Sequence, residues 1–342
     1  MKPVQDGLSV GVFGANGAVG SEIIHLLEHR AWKIENLSLY GGARSAGKSV
    51  RWRDQMIEIR PASTYAEENF DLALLAANSD VAREVAPVLA SRGTYVIDNS
   101  SAFRMSENVP LVIPEINFDA IGELDRIIAN PNCCTIIMLM AVAPLRSLGS
   151  IKRIIVSTYQ SASGAGREAM EELEESTQAF LNGEAYVPQV LPYPYAFNLF
   201  SHNTTVEESG YNGEEMKMIL ETRKILGDPG LLINPTCIRV PVLRSHSESI
   251  TVEFAKTAPS VEDARACLSE FPGITLIDDR EANRFPMPND SNGQSDVFVG
   301  RIRGDISNPK ALSFFVCGDQ LLKGAALNAV QIGARLFGIN FV

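Results

Sequence analysis

The sequence predicts an α/β protein in two parts: a doubly wound, mostly parallel N-terminal domain and an α+β domain built on one large mixed sheet. Three observations predict it. The chain opens on a buried-strand pattern, Leu8-Ser9-Val10-Gly11-Val12-Phe13, which runs through a glycine turn into helix periodicity. Strand-length apolar runs then alternate with turn and helix patterns to about residue 130, as they do where helices cover a parallel sheet. Farther on, strand patterns at 249–255, 274–277, 297–303 and 311–317 read as antiparallel neighbours, with a helix at 261–271.

Composition bounds the function. The 342 residues, 45% hydrophobic and 21% charged, supply one large or two ordinary globular domains with ample core. A net charge of −11 without a Lys/Arg block argues against a nucleic-acid or anionic-membrane partner, so an anionic substrate must be held by a few local positive side chains. No apolar run reaches a membrane span, and residues 1–7 lack the apolar core of a signal peptide, which places the protein in the cytoplasm. The five cysteines (133, 134, 237, 267, 317) lack zinc-type spacing, so reduced thiols and no metal are expected. A bridge between the adjacent Cys133 and Cys134 would strain the backbone.

In the first domain, Gly14, Gly17 and Gly20 follow the opening strand, and residues 21–29 carry helix periodicity. Glycines so placed allow a tight turn, close approach of a pyrophosphate, and close packing of helix on sheet. The spacing is GxxGxxG rather than GxGxxG, and its weight comes from standing inside a strand-helix-strand unit. The next strand, 36–40, ends at Gly41-Gly42-Ala43-Arg44-Ser45. An acid at this position would suit the ribose hydroxyls of NAD; Arg44 and Ser45 suit a 2′-phosphate, hence NADP, although a solvated basic loop has the same composition. Strands follow at 55–60, 70–76 and 95–98, with a helix at 80–92. The last strand delivers the polar loop 99–104, where Arg104 is either a phosphate clamp or a surface arginine.

A short strand at 126–129 then meets Asn130-Pro131-Asn132, which must turn, and 135–148 reads as a buried helix. Cys133 therefore sits at a helix start, where the dipole and unpaired N–H groups favour a thiolate. A buried structural cysteine is the alternative. Strand 151–159 leads to Gln160 and a glycine-rich loop with Ser163 and Gly164, which permits close backbone approach to a ligand. Gln160 is a neutral donor for a thiolate or an oxyanion. The acidic helix 167–181 reads as a solvated face, and 186–195 as an irregular packing or subunit-contact loop. In helix 213–226, Glu214 and Lys217 share a face, most simply as an ion pair. Residues 237–249 read as one strand, with a buried Arg239 that calls for an anionic partner and His246 at its exit, either an acid/base or a histidine satisfied by neighbouring hydroxyls. A closing helix, 320–337, is expected to return to the first domain.

In combination the motifs GANGAVG, ARSAGK, NSSAFR, NPNCC, YQSASGAG, EEMK, RVPVLRSHSE, VFVGRIR and DQLLKGAALNAVQ resemble the aspartate-β-semialdehyde dehydrogenase family over essentially the full length. The resemblance implies a Rossmann-like NADP-binding domain, 1–130 completed by a helix at 319–342, and a catalytic and dimerisation domain, 131–318, working as a homodimer or a tetramer of dimers. It implies Cys133 as nucleophile, His246 as acid/base and Gln160 as positioning group. It implies Arg239 for the substrate carboxylate, Glu214 for its ammonium, Arg104 and Lys217 for phosphate, and Asn132 beside the substrate. For the cofactor it implies Gly14, Asn16, Gly17, Ala18, Val19, Arg44, Ser45, Ser163, Gly164 and Gln320. Two positions depart from the family pattern: Cys134 stands where serine or threonine is common, and Gln320 where asparagine is frequent. The rival readings are an N-acetyl-γ-glutamyl-phosphate reductase, whose cysteine usually follows Asn-Pro-Gly, and a silent NADP-binding homologue.

Overall fold

A computed structural model describes residues 7–29 and 32–340, without the side chain of Glu67. The stretch read for a signal peptide lies, apart from Gly7, outside the described residues. The chain divides into two compact units, one running to Asn132 and resuming at Ala325, the other Cys133–Gly324. Among the described residues no helix is long and apolar enough to cross a membrane.

The first unit comprises β1 (Leu8–Phe13), α1 (Ala18–His29), β2 (Ile34–Gly41), β3 (Ser49–Trp52), β4 (Gln55–Pro61), β5 (Leu72–Leu75), α2 (Ser79–Ser91), β6 (Tyr95–Asp98), α3 (Pro114–Asn117) and β7 (Ile127–Ala129). Its sheet runs β3-β4-β2-β1-β5-β6-β7, parallel except where β3 meets β4. The chain order reverses on either side of β1, so its carboxyl end is the topological switch point where open sheets bind ligands. Under it, Phe13 stacks on Tyr40 at 4.5 Å and meets Phe70 edge-on. Two features escape the sequence pattern. Helix α1 starts at Ala18, three residues before its apolar periodicity becomes visible at 21. Strand β3 closes a hairpin with β4 through Arg53-Asp54, with Arg53 at φ 51° and no Asn-Gly signal to announce it.

The second unit comprises α4 (Cys133–Val142), β8 (Ile151–Gln160), α5 (Arg167–Asn182), β9 (Phe200–Ser201), α6 (Gly213–Leu226), β10 (Leu232–Arg239), β11 (His246–Phe254), α7 (Val261–Glu270), β12 (Ile274–Leu276), α8 (Pro288–Ser291), β13 (Val297–Gly304) and β14 (Ala311–Gly318). The sheet order is β12-β13-β14-β11-β8-β10-β9. It is mixed, as the sequence predicts: β8 with β10 and β12 with β13 are parallel, and the second pair corrects the antiparallel reading of the 274–277 and 297–303 strands. The single strand expected at 237–249 is two, β10 and β11. Pro241 has no N–H for a ladder, and Ser245, at φ 77°, turns the chain so that His246 begins β11 rather than ending a strand. Helix α4 is buried from Cys134 to Val142 and packs on β11, β13, β14 and α6, which explains why it is apolar all round. It ends at Val142, before Pro144 opens a short 3-10 turn, rather than running to 148. Helix α5 is not merely a solvated face: buried Glu172 accepts the N–H groups of Gln189, Val190 and Leu191 at 2.5, 2.7 and 2.9 Å and so anchors the loop that follows.

After one turn of π-helix (Leu322–Ala326), α9 (Leu327–Leu336) packs on α1, α3, β5 and β6 of the first unit. The closing helix expected at 320–337 is thus shorter. Close approach is permitted by Gly333, where a Cβ would lie 3.0 Å from Leu72 Cδ2 and 3.2 Å from the Trp32 ring.

Candidate active site

The glycine turn is built for close approach. Gly14 sits at φ 82°, and a Cβ there would lie 2.3 Å from Ala76 O; at Gly20 it would lie 2.1 Å from Gly14 O. Either substitution would push backbone against backbone. Gly14 N–H and Ala15 N–H donate to Tyr40 O at 2.9 and 3.1 Å, tying the turn to the end of β2. Asn16 and Gly17 form the approach, and Ala18 and Val19 open α1, whose first-turn N–H groups and dipole favour phosphate. Past β2, Ser45 N–H and Ala46 N–H bond back to Gly42 O at 2.9 and 3.0 Å. Arg44 is exposed on this turn and Ser45 is partly buried. The cradle, the helix start and a cation beyond β2 fit a dinucleotide with a 2′-phosphate.

Arg104 is not a surface arginine. It is 8% exposed, with Nε donating to Asn130 O at 2.9 Å and Nη2 to Asn99 O at 2.8 Å. Its loop is shaped by Asp98, whose carboxylate accepts Ser100 N–H and Oγ–H at 2.9 and 2.8 Å. Buried Asn130 also accepts from Asn328 Nδ2 at 2.7 Å through its side chain, so the segment leading to Asn132, itself 6% exposed, is held rigidly.

In the second unit Cys133 heads α4 and is only partly buried, whereas Cys134, Cys237 and Cys317 are fully enclosed. Its Sγ, the Sγ of Cys134 and a ring nitrogen of His246 lie within 4.8 Å of one another. Hydrogen bonding from the Cys134 thiol, with help from the His246 ring, draws the Cys133 thiol well below its usual pKa against the effect of burial. His246 is wholly buried, and its Nδ1 accepts Ser161 N–H at 3.0 Å. That bond puts the proton of the neutral ring on Nε2, which has no hydrogen-bond partner among the described residues. A polar atom buried and unpartnered beside a thiol is poised for proton transfer.

The loop before His246 is pinned. Arg244 Nε meets Asp319 Oδ2 at 2.7 Å, and Ser245 N–H donates to Gln320 Oε1 at 2.9 Å, which holds Ser245 in its left-handed conformation. Gln320 Nε2 donates to Ser163 Oγ, and Ser163 Oγ lies 3.0 Å from Ser161 Oγ. Both ends of Gln320 are therefore engaged by protein. At Gly164 a Cβ would fall 2.8 Å from His246 Cε1, 2.9 Å from its Nε2 and 3.1 Å from Arg239 Nη1. Only glycine leaves both side chains where they are. Gly324 does the same for the thiol, since a Cβ there would lie 3.0 Å from Cys133 Cβ.

Arg239, 2% exposed at the end of β10, calls for an anionic partner, and among the described residues no carboxylate pairs with it. Nη1 donates to Ser161 O at 2.9 Å, Nη2 meets His202 Nε2 at 3.0 Å, and Nε is unpartnered. A buried guanidinium with uncharged neighbours suits a ligand carboxylate. His202, which the sequence reading passed over, stays neutral because burial lowers its pKa to about 4, so it accepts from Arg239 rather than repelling it. Its signal was scarcity: the chain has four histidines and only two lie beyond α1. Glu214, 4% exposed, accepts from Lys217 Nζ at 3.0 Å and from Gln160 Nε2 at 3.2 Å. The expected ion pair is present, and Gln160 is directed at Glu214. Asn212 caps α6 by accepting Glu214 N–H and Glu215 N–H, both at 3.0 Å, and Glu215 returns a bond to Asn212 N–H in a capping box.

Comparison with known proteins follows the same lines. A family model described as "Semialdehyde dehydrogenase, NAD binding domain" matches residues 9–124, and one described as "Semialdehyde dehydrogenase, dimerisation domain" matches residues 142–323. The chain is 49% identical over 336 residues to the aspartate-semialdehyde dehydrogenase of Prochlorococcus marinus, covering 98% of each chain. It is 44% identical over 343 residues to that of Bacillus subtilis, covering 98% of this chain and 99% of the other. Among solved structures it resembles aspartate semialdehyde dehydrogenase II from Vibrio cholerae, complexed with ASA, with TM-score 0.93 and 37% identity over 98% of this chain and 100% of that one.

Proposed function

The chain belongs to the aspartate-semialdehyde dehydrogenase family, and from that premise we propose that it reduces L-aspartyl 4-phosphate to L-aspartate 4-semialdehyde, reversibly, with NADPH and through a thioester on Cys133. The observation that carries the reading is the pairing of a helix-start thiol, drawn towards its thiolate, with a His246 ring whose Nδ1 bond leaves Nε2 free beside it. The setting is amino-acid biosynthesis in the cytoplasm, leading to lysine by way of diaminopimelate, and to threonine and methionine. The chain acts as a homodimer or a tetramer of dimers.

The Cys133 thiolate attacks the acyl carbon; the C–O bond to phosphate breaks and phosphate leaves with the electron pair. Arg104 and Lys217 are the cations assigned to its oxygens, and Arg239 to the α-carboxylate. Glu214 pairs with the substrate ammonium and Gln160 holds Glu214; Asn132 lines the substrate. NADPH when bound supplies the hydride that reduces the thioester carbon. As the thiohemiacetal oxyanion collapses, its C–S bond breaks and sulfur leaves with the electron pair as the thiolate that began the cycle, while His246, the acid/base group, donates a hydrogen bond from Nε2–H to the departing charge. Gly14, Asn16, Gly17, Ala18 and Val19 take the pyrophosphate and Arg44 with Ser45 the 2′-phosphate. Ser163 and Gly164 line the cofactor, and Gln320 fixes Ser163. In the domain assignment, 1–130 with 319–342 binds NADP and 131–318 is catalytic and dimerising.

The test is NADPH formation from aspartate semialdehyde, phosphate and NADP. Turnover that needs all three and is weaker with NAD is expected. Turnover with N-acetylglutamate semialdehyde instead would favour the acetylated-substrate reductase, and none with either would return the silent homologue.

A further inference from the structure

His202 is bonded towards both arms of the amino-acid subsite assigned above, and no step of the mechanism uses it. It follows β9, and its N–H continues the pairing of that short strand with β10 by donating to Cys237 O at 2.8 Å. Arg239 lies opposite Phe200, so His202 stands diagonally across from Arg239 on the same face of the ladder. The loop beyond it is closed on itself. Val206 bridges Asn212, Glu207 N–H donates to Tyr211 O at 2.8 Å and Gly213 N–H to Thr205 O at 3.0 Å, which brings Thr204 to the first turn of α6.

The chemistry of the groups fixes the direction of each hydrogen bond. A guanidinium only donates, so His202 Nε2, 3.0 Å from Arg239 Nη2, accepts, and the proton of the neutral ring is on Nδ1. Nδ1 lies 3.3 Å from Thr204 Oγ1 and donates to it. The same hydroxyl accepts Glu214 N–H at 3.0 Å and donates its own proton to Asn212 Oδ1 at 3.4 Å, so both lone pairs and the proton of Thr204 are engaged. Burial keeps the ring neutral, and the charges of Arg239 and Lys217 help it against those of Glu214 and Cys133.

We propose that His202 is a positioning residue for the amino-acid end of the substrate: it holds the Arg239 fork on one side and, through Thr204, the start of α6 that carries Glu214 on the other. The proposal deepens the assignment of Arg239 to the substrate carboxylate and Glu214 to its ammonium, and rests on it. One side chain thereby fixes the spacing between the cation and the anion before the substrate arrives. Nη1 donates to Ser161 O and Nη2 to His202, which leaves Nε and one N–H on each terminal nitrogen for the ligand. A fork held in this way loses little freedom when a carboxylate docks.

The test is steady-state kinetics with L-aspartate semialdehyde, phosphate and NADP on the full chain and on His202→Leu, His202→Gln and Thr204→Val. His202→Leu should raise KM for the semialdehyde about tenfold or more, as expected when a charged group loses a hydrogen bond, with kcat within about threefold and KM for NADP unchanged. His202→Gln, whose amide oxygen takes the place of Nε2, should recover most of that loss. Thr204→Val should raise the same KM, and by less in the His202→Leu background than alone, because the two residues act in one network. His202→Asn, too short to reach Arg239, carries the expectation of the leucine variant if that variant does not fold. An unchanged KM for the semialdehyde in His202→Leu, an equal rise in KM for NADP, or a glutamine variant as impaired as leucine would overturn the proposal. NMR of the protein labelled with 15N-histidine reads the ring without turnover: the signal that His202→Gln removes should carry its proton on Nδ1, and a proton on Nε2 would overturn the bond to Arg239. A chain that shows the Nδ1-protonated ring but turns over no aspartate semialdehyde would fault the assigned substrate and leave the network standing.

Discussion

Gly164 presses against two reacting side chains at once, and its substitution separates packing from catalysis. A Cβ at that position meets the His246 ring and the Arg239 guanidinium, both on flexible side chains, so Gly164→Ala should fold normally yet lose about a hundredfold in kcat, as expected when catalytic groups are displaced by an ångström. Circular dichroism with steady-state kinetics measures both. Arg239→Lys should raise KM for the semialdehyde at least tenfold with less effect on kcat, because a point charge cannot reproduce the fork that meets a carboxylate. The residue types and order of this site were legible in the sequence: a cysteine at a helix start, a glutamine and glycines after a strand, an arginine inside an apolar run. Its second layer was not. His202 and Asp319 act through contacts made only after segments distant in sequence come together, and no local pattern distinguishes them from ordinary polar residues.

Capping turns one side chain into a placement device for another. Asn212 accepts the N–H of Glu214 at the start of α6, so Asn212→Ala should cost about 1 kcal/mol of stability and also loosen Glu214, raising KM for an ammonium-bearing substrate. A melting curve and a KM determination check the two effects separately. Element positions were read well where periodicity is strong, as for α6, which runs over 213–226 as predicted. They were misread where a single residue decides. Pro144 shortens α4, and the Val240–Ser245 segment splits one apparent strand in two, since apolar content continues through Pro241-Val242-Leu243 while the backbone cannot stay extended. The parallel pairing of β8 with β10 was hidden for another reason: strand direction follows the crossover through α5 and α6, not the strands' own residues.

Stability of the whole protein should carry the imprint of its buried titrating groups. His202 has a folded-state pKa of about 4, below its unfolded value, so the unfolded chain binds more protons as pH falls, and the protein loses stability between about pH 6.5 and pH 4. Glu248 works in the opposite sense. Its folded pKa is raised, so the folded state retains a proton the unfolded chain gives up, and its contribution declines as pH rises above the ordinary carboxyl range. Denaturant melts across pH should show a shallower acid loss in His202→Asn and a shallower decline at high pH in Glu248→Gln; parallel curves for variant and original would contradict both assignments. The two-part architecture followed from alternation of pattern early in the chain. The packing of α9 in the first unit turns on Gly333, where a Cβ would press on Leu72 and Trp32, and no local pattern marks that glycine for the role. One measurement bears on the whole account: mixing the protein with L-aspartyl 4-phosphate in the absence of NADPH, quenching in acid, and weighing the peptide that contains Cys133. One aspartyl group per chain on that sulfur is predicted, and a bare sulfur, or the same mass on another side chain, would contradict it.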